Sequence, residues 1–97
     1  MIYVKIQWIH NMTDAPVLVY SEISPGHEEL RKVEVFVDGS FGFADNSRRS
    51  RDTWLGEAEF PPIDEIAKND EFVPTVISKQ EFENAWDTAT SEAKPCF

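Results

Sequence analysis

Residues 31–44 read RKVEVFVDGSFGFA and predict an antiparallel β-hairpin. Valine and phenylalanine, which favour strands, dominate both halves of this stretch. The Asp38-Gly39 pair between the halves is typical of a two-residue type I′ turn, in which both central residues take a positive φ. The sequence therefore predicts two adjacent strands joined by a tight turn.

A two-residue turn would also fix the pairing across the hairpin. Phe36 would face Phe41, and Val35 would face Gly42, so Phe36, Phe41 and Phe43 would share one face of the sheet. The other face would be smooth enough for a helix to pack closely against it. That second face is expected to consist of Val33, Val35, Val37, Gly42 and Ala44.

Three further stretches have the pattern of strands. Residues 2–9 alternate between two faces, and residues 17–23 are dense in β-branched and aromatic side chains. Residues 72–77 form a short extended run that contains Pro74. Because proline cannot donate a hydrogen bond to a neighbouring strand, we expect this run at a sheet edge or outside the ladder.

Two stretches have the pattern of helices. A short one is expected over residues 63–69, directly after Pro62. Ser78 and Glu81 form a capping box that predicts the start of a C-terminal helix. Apolar residues at helical spacing would form one stripe on this helix: Phe82, Ala85, Trp86 and Ala89.

Together these patterns predict an α+β fold. We expect an antiparallel sheet of four to five strands, with the C-terminal helix packed on one face and a short helix near 63–69. The chain has 97 residues, 41% of them hydrophobic, which is enough for one domain with its own core. The domain is expected to span residues 1–90, followed by a frayed tail over 91–97.

The sequence favours a reducing compartment. Its one cysteine, Cys96, can form no intrachain disulfide. The first residues alternate polar and apolar side chains, unlike a signal peptide, and no apolar run approaches the roughly 20 residues that cross a bilayer. We predict a cytoplasmic protein that does not bind membranes.

Charge is the strongest functional signal. The net charge is −9, and 11 of the 18 acidic side chains but only three of the nine basic ones lie in residues 52–97. Such a field attracts basic partners and repels polyanions. The alternative is that the charge serves solubility alone, since small domains often carry about 2–8 net charges.

No pattern of catalytic or metal-binding residues is present. His10 and His27 fall in predicted loops, and the sequence contains no HExxH, CxxC, nucleophile elbow or P-loop motif. The acidic residues between 64 and 71 lack the spacing of a calcium loop. We predict no catalytic site, cofactor or metal; an enzyme would require a cleft that combines His10 with at least two carboxylates.

The basic trio Arg48, Arg49 and Arg51 is the one candidate for contacts with nucleic acid. Three such charges on a domain of net charge −9 face repulsion from a polyanion. We therefore expect an exposed loop and no nucleic-acid partner.

Several segments resemble an uncharacterised family of short acidic bacterial proteins, and the resemblance covers nearly the whole chain. The segments are VKIQWIH (4–10), PVLVYSE (16–22), RKVE (31–34) with the Asp38-Gly39 pair, TWLGE (53–57) and ISKQEFENAW (77–86). This resemblance implies no established activity. In size, charge and class the chain is also similar to the immunity proteins encoded beside secreted or contact-delivered bacterial toxins.

The functional expectation is an immunity protein that neutralises a basic toxin, for example a nuclease, through an acidic surface. The alternative is a small non-enzymatic adaptor that binds its partner through exposed aromatic residues such as Trp8 or Trp54. Candidate partner-binding residues were chosen in predicted loops and at element ends: His10, Asp14, Glu22, Glu28, Glu29, Asp64, Glu65, Asp70 and Glu71.

Overall fold

The computed structural model describes residues 1–50, 53–56 and 58–92, which form a five-stranded antiparallel sheet and two helices. The strands lie in the order β4-β3-β2-β1-β5. The predicted α+β arrangement is confirmed. The elements are β1 (Ile2–Trp8), β2 (Pro16–Ile23), β3 (Glu29–Phe36), β4 (Phe41–Ala44), α1 (Ile63–Ala67), β5 (Phe72–Ile77) and α2 (Lys79–Glu92).

The C-terminal helix continues past the predicted domain end at residue 90. Helix α2 includes Ser91 and Glu92, and the rest of the predicted tail, residues 93–97, lies outside the described residues. Arg51 of the predicted basic loop also lies outside them. None of the described helices is long and apolar enough to cross a membrane.

The β3–β4 hairpin forms, but the predicted type I′ turn is wrong. The Gly39 amide donates to the carbonyl of Phe36 (2.9 Å), and the Phe36 amide donates to the carbonyl of Ser40 (2.9 Å). Of the described turn residues, only Gly39 has a positive φ, 86°. The connection is therefore a three-residue loop that ends in a left-handed glycine.

The extra loop residue shifts the pairing by one position. Val35 lies opposite Phe41, and Val33 lies opposite Phe43, whereas the sequence predicted Phe36 opposite Phe41. A one-residue slip moves every side chain of one strand to the other face relative to its neighbour. Val33, Val35, Phe41 and Phe43 therefore share one face, and the predicted smooth face does not exist.

Helix α2 packs on this shared apolar face. Phe82 and Trp86 are buried against Tyr3, Val33 and Phe43, so the predicted apolar stripe is confirmed. The helix begins as predicted, because the hydroxyl of Ser78 accepts a hydrogen bond from the amide of Glu81 (3.1 Å). The Glu81 carboxylate lies 3.2 Å from Lys5 Nζ on β1.

Strand β5 is an edge strand, as its proline predicted. Among the described strands it pairs with β1 alone, and Pro74 lies opposite Ile6. An edge position leaves one side of the strand without a neighbour, so a residue that lacks an amide hydrogen is tolerated there.

The face of the sheet opposite α2 is covered by the chain between β4 and β5. We call residues 53–56 and 58–71 of this connection the crossing segment. Its first part is tied to β3, because the Thr53 hydroxyl donates to Glu34 Oε1 (2.7 Å). Further on, the Phe60 amide donates to the carbonyl of His27 (2.7 Å). Helix α1 then contacts β5, so the segment spans from one side of the sheet to the other.

Candidate functional site

A cavity of about 410 Å³ lies between the crossing segment and the sheet. Its size falls in the usual range of ligand pockets, roughly 300–1,000 Å³. Most of its lining is apolar, contributed by Ile6, Trp8, Val19, Phe60, Pro61, Ile66 and Phe72. The polar lining residues are Ser21, Glu29, Lys32, Glu65 and Asn69.

Glu29 forms the centre of a buried polar network in this cavity. The residue is 8% exposed, and its carboxylate accepts hydrogen bonds from Ser21 Oγ and the Gly56 amide, each at 2.7 Å. Lys32 Nζ lies 3.3 Å from Glu29 Oε1 and donates to the carbonyl of Trp54 at 2.9 Å. The network joins β2 and β3 to the crossing segment and leaves no net charge on the Glu29–Lys32 pair.

Trp8 lines the same cavity and carries an unsatisfied polar group. Its indole Nε1 is buried and has no hydrogen-bond acceptor among the described residues. The ring lies between His10 and Phe72, with ring centroids 4.6 Å and 5.8 Å away. A buried N–H without an acceptor costs about 1–3 kcal/mol.

His10 organises the β1–β2 loop. Its Nε2 lies 2.7 Å from the carbonyl of Pro16, and its Nδ1 accepts a hydrogen bond from the Met12 amide at 3.0 Å. Since Nδ1 accepts, Nε2 is the ring nitrogen that donates to Pro16. A second cavity, beside His10, is lined by Gln7, Trp8, Ile9, His10, Val17 and Leu18, none of which is a carboxylate. His10 is therefore engaged within the chain.

Four of the predicted partner-binding residues form one exposed acidic segment. Asp64 and Glu65 lie on α1, and Asp70 and Glu71 lie in the turn before β5. All four are exposed, and Glu65 also lines the cavity. Lys68 pairs with Glu65 at 3.0 Å, but both side chains are exposed, so this contact contributes little. We call these four residues the acidic segment.

The sheet topology places Asp14 near the acidic segment and Glu28 far from it. Because β1 and β5 are antiparallel, the β1–β2 loop that contains Asp14 lies at the end of the sheet where β5 begins. The Ile9 amide donates to the carbonyl of Glu71 (2.7 Å), which joins these two connections. Glu28 lies in the β2–β3 connection at the opposite end.

Glu22 points to the other face of the sheet and is buried. Its carboxylate binds Arg31, with Nε–Oε1 at 2.7 Å and Nη2–Oε2 at 2.8 Å. The hydrogen bonds from Arg31 lower the pKa of Glu22 below its ordinary value, against the effect of burial. Glu22 and Glu29 are thus bound internally. Glu22 lies on the face of the sheet away from the acidic segment, whereas Glu29 lines the same cavity as Glu65.

Sequence reasoning missed Ser21 and Lys32 as site residues, and it named Trp8 only as an exposed aromatic residue of the alternative adaptor. Ser21 follows Val19 by two positions, so the strand pattern of the sequence already put both side chains on one face of β2. The cavity itself depends on where the crossing segment lies, which no periodicity in the sequence specifies. No group of three or more metal-ligating side chains comes together within the described part of the chain.

A second exposed feature lies at the edge of the sheet beyond β4. Trp54 is 60% exposed, and the guanidinium carbon of Arg49 lies 3.4 Å from its ring centroid. Arg48, in the same loop, pairs with Asp45 at 3.5 Å. The predicted exposed basic loop is confirmed for Arg48 and Arg49. Arg49 of this loop stacks on Trp54.

Comparison with known proteins identifies the family. The model of the DUF6881 family, described as a domain of unknown function, matches residues 2–91. The chain belongs to the DUF6881 family. The matched range covers all five strands, α1 and most of α2, so the DUF6881 domain includes both the cavity and the acidic segment. Neither a curated protein nor a solved structure matched the chain.

Proposed function

We propose that this DUF6881 protein is a non-catalytic binding protein for a basic protein, and that its partner is a toxin. In this proposal the acidic segment covers a positively charged active site or substrate groove of the toxin, for example that of a nuclease, and keeps its substrate out. The protein then acts as an immunity protein in the cytoplasm, where its one cysteine stays reduced.

The observation that carries the proposal is the position of the acidic segment beside an apolar cavity. The four acidic residues are exposed within a short stretch of chain, and Glu65 reaches the cavity lining. A strong protein interface combines an apolar centre with a polar rim. The cavity and the acidic segment supply these two parts on one side of the sheet.

Electrostatics would act mainly on the rate of association. A net charge of −9 raises the encounter rate with a basic protein and lowers it with nucleic acid, and salt weakens both effects. Complementary charges also exclude wrong partners. The proposal therefore requires a partner with a high isoelectric point. It also requires that anionic membranes do not compete with the partner for this protein.

A growth-rescue assay tests the proposal directly. The product of the adjacent gene is expressed in a host with and without this protein, and rescue of growth together with a purified complex is expected. The variant Asp64→Asn/Asp70→Asn/Glu71→Gln should lower the association rate at low salt by tenfold or more. Its matched control, Glu28→Gln/Glu81→Gln/Asp87→Asn, has the same net charge and should change the rate little.

Failure of both binding and protection would refute the toxin partner. An equal loss of association rate in the two triple variants would show that total charge matters and that the acidic segment is not the contact surface.

The stacked pair of Trp54 and Arg49 favours a second candidate function, an adaptor domain that binds through exposed aromatic residues. Tryptophan and arginine are the residue types most enriched at the energetic centres of interfaces. In this case Trp54→Ala would abolish capture of the partner, whereas the triple variant of the acidic segment would not. Capture of the partner by Trp54→Ala, compared with capture by the triple variant, separates the two functions.

A further inference from the structure

We propose that the cavity receives an aromatic or large aliphatic side chain of the basic partner, and that basic residues flank this side chain in the partner's sequence. The inference rests on the proposed function and specifies what the partner must present. It assigns the cavity a role as the apolar anchor point of the interface.

The walls of the cavity favour an apolar occupant. Phe60 and Ile66 of the crossing segment face the lining residues Ile6, Trp8 and Phe72 of the sheet across about 410 Å³. Filling such a space removes apolar surface from water on both molecules, at about 25 cal/mol per Å². Anchors of this kind, in a pocket that excludes water, dominate binding energy at protein interfaces.

The polar end of the cavity favours a neutral occupant. A free buried carboxylate would select a cation, but Glu29 already binds Ser21, Gly56 and Lys32. A second cation beside Lys32 would be repelled by Lys32 and would lose its hydration. Glu29, which already has its partners, would not offset these costs. The cationic groups of the partner therefore belong outside the cavity.

The exposed charged residues beside the cavity include three carboxylates, which attract cations. Glu65 lies in the lining, Asp64 precedes it in α1, and Asp70 follows Asn69, another lining residue. All three acidic residues are exposed. Lysine or arginine residues on either side of an inserted apolar side chain would meet these carboxylates.

A peptide segment of the partner fits both parts of this surface. One chemical class provides the apolar side chain for the cavity and the positive charges that flank it. The remaining occupants, a small neutral molecule and a second copy of this chain, are separate outcomes of the test.

Peptide binding followed by NMR tests the inference on the intact protein. The probes are acetyl-Lys-Lys-Phe-Lys-Lys-amide and its matched control, in which alanine replaces phenylalanine. The reporter is the indole ¹H–¹⁵N signal of Trp8, assigned with Trp8→Phe and Trp54→Phe. We expect the phenylalanine peptide to shift this signal and to bind at least tenfold more tightly than the alanine peptide.

The outcomes separate the inference from the proposed function. If both peptides bind equally and Asp64→Asn/Asp70→Asn/Glu71→Gln weakens both, the acidic surface stands and the cavity inference is wrong. If the phenylalanine peptide binds as well after the triple substitution, the proposed acidic contact fails. A Trp8 signal unmoved by the peptide overturns the inference. So does a signal that shifts with protein concentration alone, which would assign the cavity to a second copy of this chain.

Discussion

Arg31 on β3 and Glu22 on β2 form a bidentate ion pair beneath α2, with nitrogen–oxygen distances of 2.7 and 2.8 Å. The same guanidinium donates to Glu83 of α2, with Nη2–Oε2 at 2.7 Å. Its carbon lies 4.8 Å from the ring centroid of Phe82 and 5.0 Å from that of Trp86. Arg31 therefore fastens the helix to the sheet through charge and through stacking.

Replacing Arg31 by methionine should lower the free energy of unfolding by about 3–5 kcal/mol, because Glu22 would be left buried without a counter-charge. Urea denaturation measures this difference. The control is Arg48→Met, since Arg48 is largely exposed and pairs with Asp45 at only 3.5 Å. Its substitution should cost no more than about 1 kcal/mol.

The double variant Glu22→Gln/Arg31→Met should be more stable than Arg31→Met alone, because the unpaired charge is removed together with its partner. A double variant that is less stable than Arg31→Met would contradict this account of the ion pair.

The same cluster makes stability depend on pH in the acid range. Hydrogen bonds from Arg31 lower the pKa values of both Glu22 and Glu83 below the ordinary value of 4.5. A carboxylate whose pKa is lower in the folded state than in the unfolded state stabilises the folded protein. This contribution is complete at pH values above the pKa of the unfolded state. That contribution is lost as the pH falls through the folded pKa. The free energy of unfolding should therefore decrease steadily below about pH 5.

Denaturation curves from pH 7 to pH 2 check this dependence. The variant Glu22→Gln/Glu83→Gln should be less stable at pH 7 but should lose less of its stability on acidification. A decline as steep as that of the original protein would show that other carboxylates cause it.

Glu29→Gln should destabilise the protein although it keeps the shape of the side chain. If the glutamine oxygen accepts from the Gly56 amide, its NH₂ must donate to the Ser21 hydroxyl, which then has to turn its own hydrogen elsewhere, and Lys32 loses its counter-charge. The expected loss is about 1–3 kcal/mol in urea denaturation. Its neighbour Glu28 is exposed, and Glu28→Gln serves as the control with the same change of charge. Equal stability of the two variants would contradict a buried network.

The candidate site was only partly predictable from the sequence. Asp64, Glu65, Asp70 and Glu71 are near one another in the chain, and local patterning was enough to place them on the surface together. Glu22 and Glu29 also sit at element ends, but long-range contacts with Arg31 and Gly56 bury their carboxylates. Pairing between distant segments leaves no mark on local periodicity.

The fold shows the same division between local and long-range information. Alternation predicted the strands, and the capping box at Ser78 predicted the start of α2, because both depend on neighbouring residues. The Asp38-Gly39 pair fits two kinds of turn, and only the packing of Val33 and Val35 on the α2 face distinguishes them. The sequence prediction was therefore right about the hairpin and wrong about the type of turn.

The turn assignment can be tested at Gly39. Its φ of 86° lies in the left-handed region, and a Cβ there would meet no atom of the described residues within 4 Å, so backbone strain would oppose a side chain. Gly39→Ala should therefore cost about 1–2 kcal/mol in urea denaturation. Gly26→Ala is the control, because Gly26 lies outside the left-handed region and its Cβ would make ordinary contacts at 3.7 and 3.8 Å. That substitution should leave stability unchanged or raise it by up to about 1 kcal/mol. Equal effects at the two glycines would contradict the three-residue turn, and with it the pairing that puts Val33, Val35, Phe41 and Phe43 under α2.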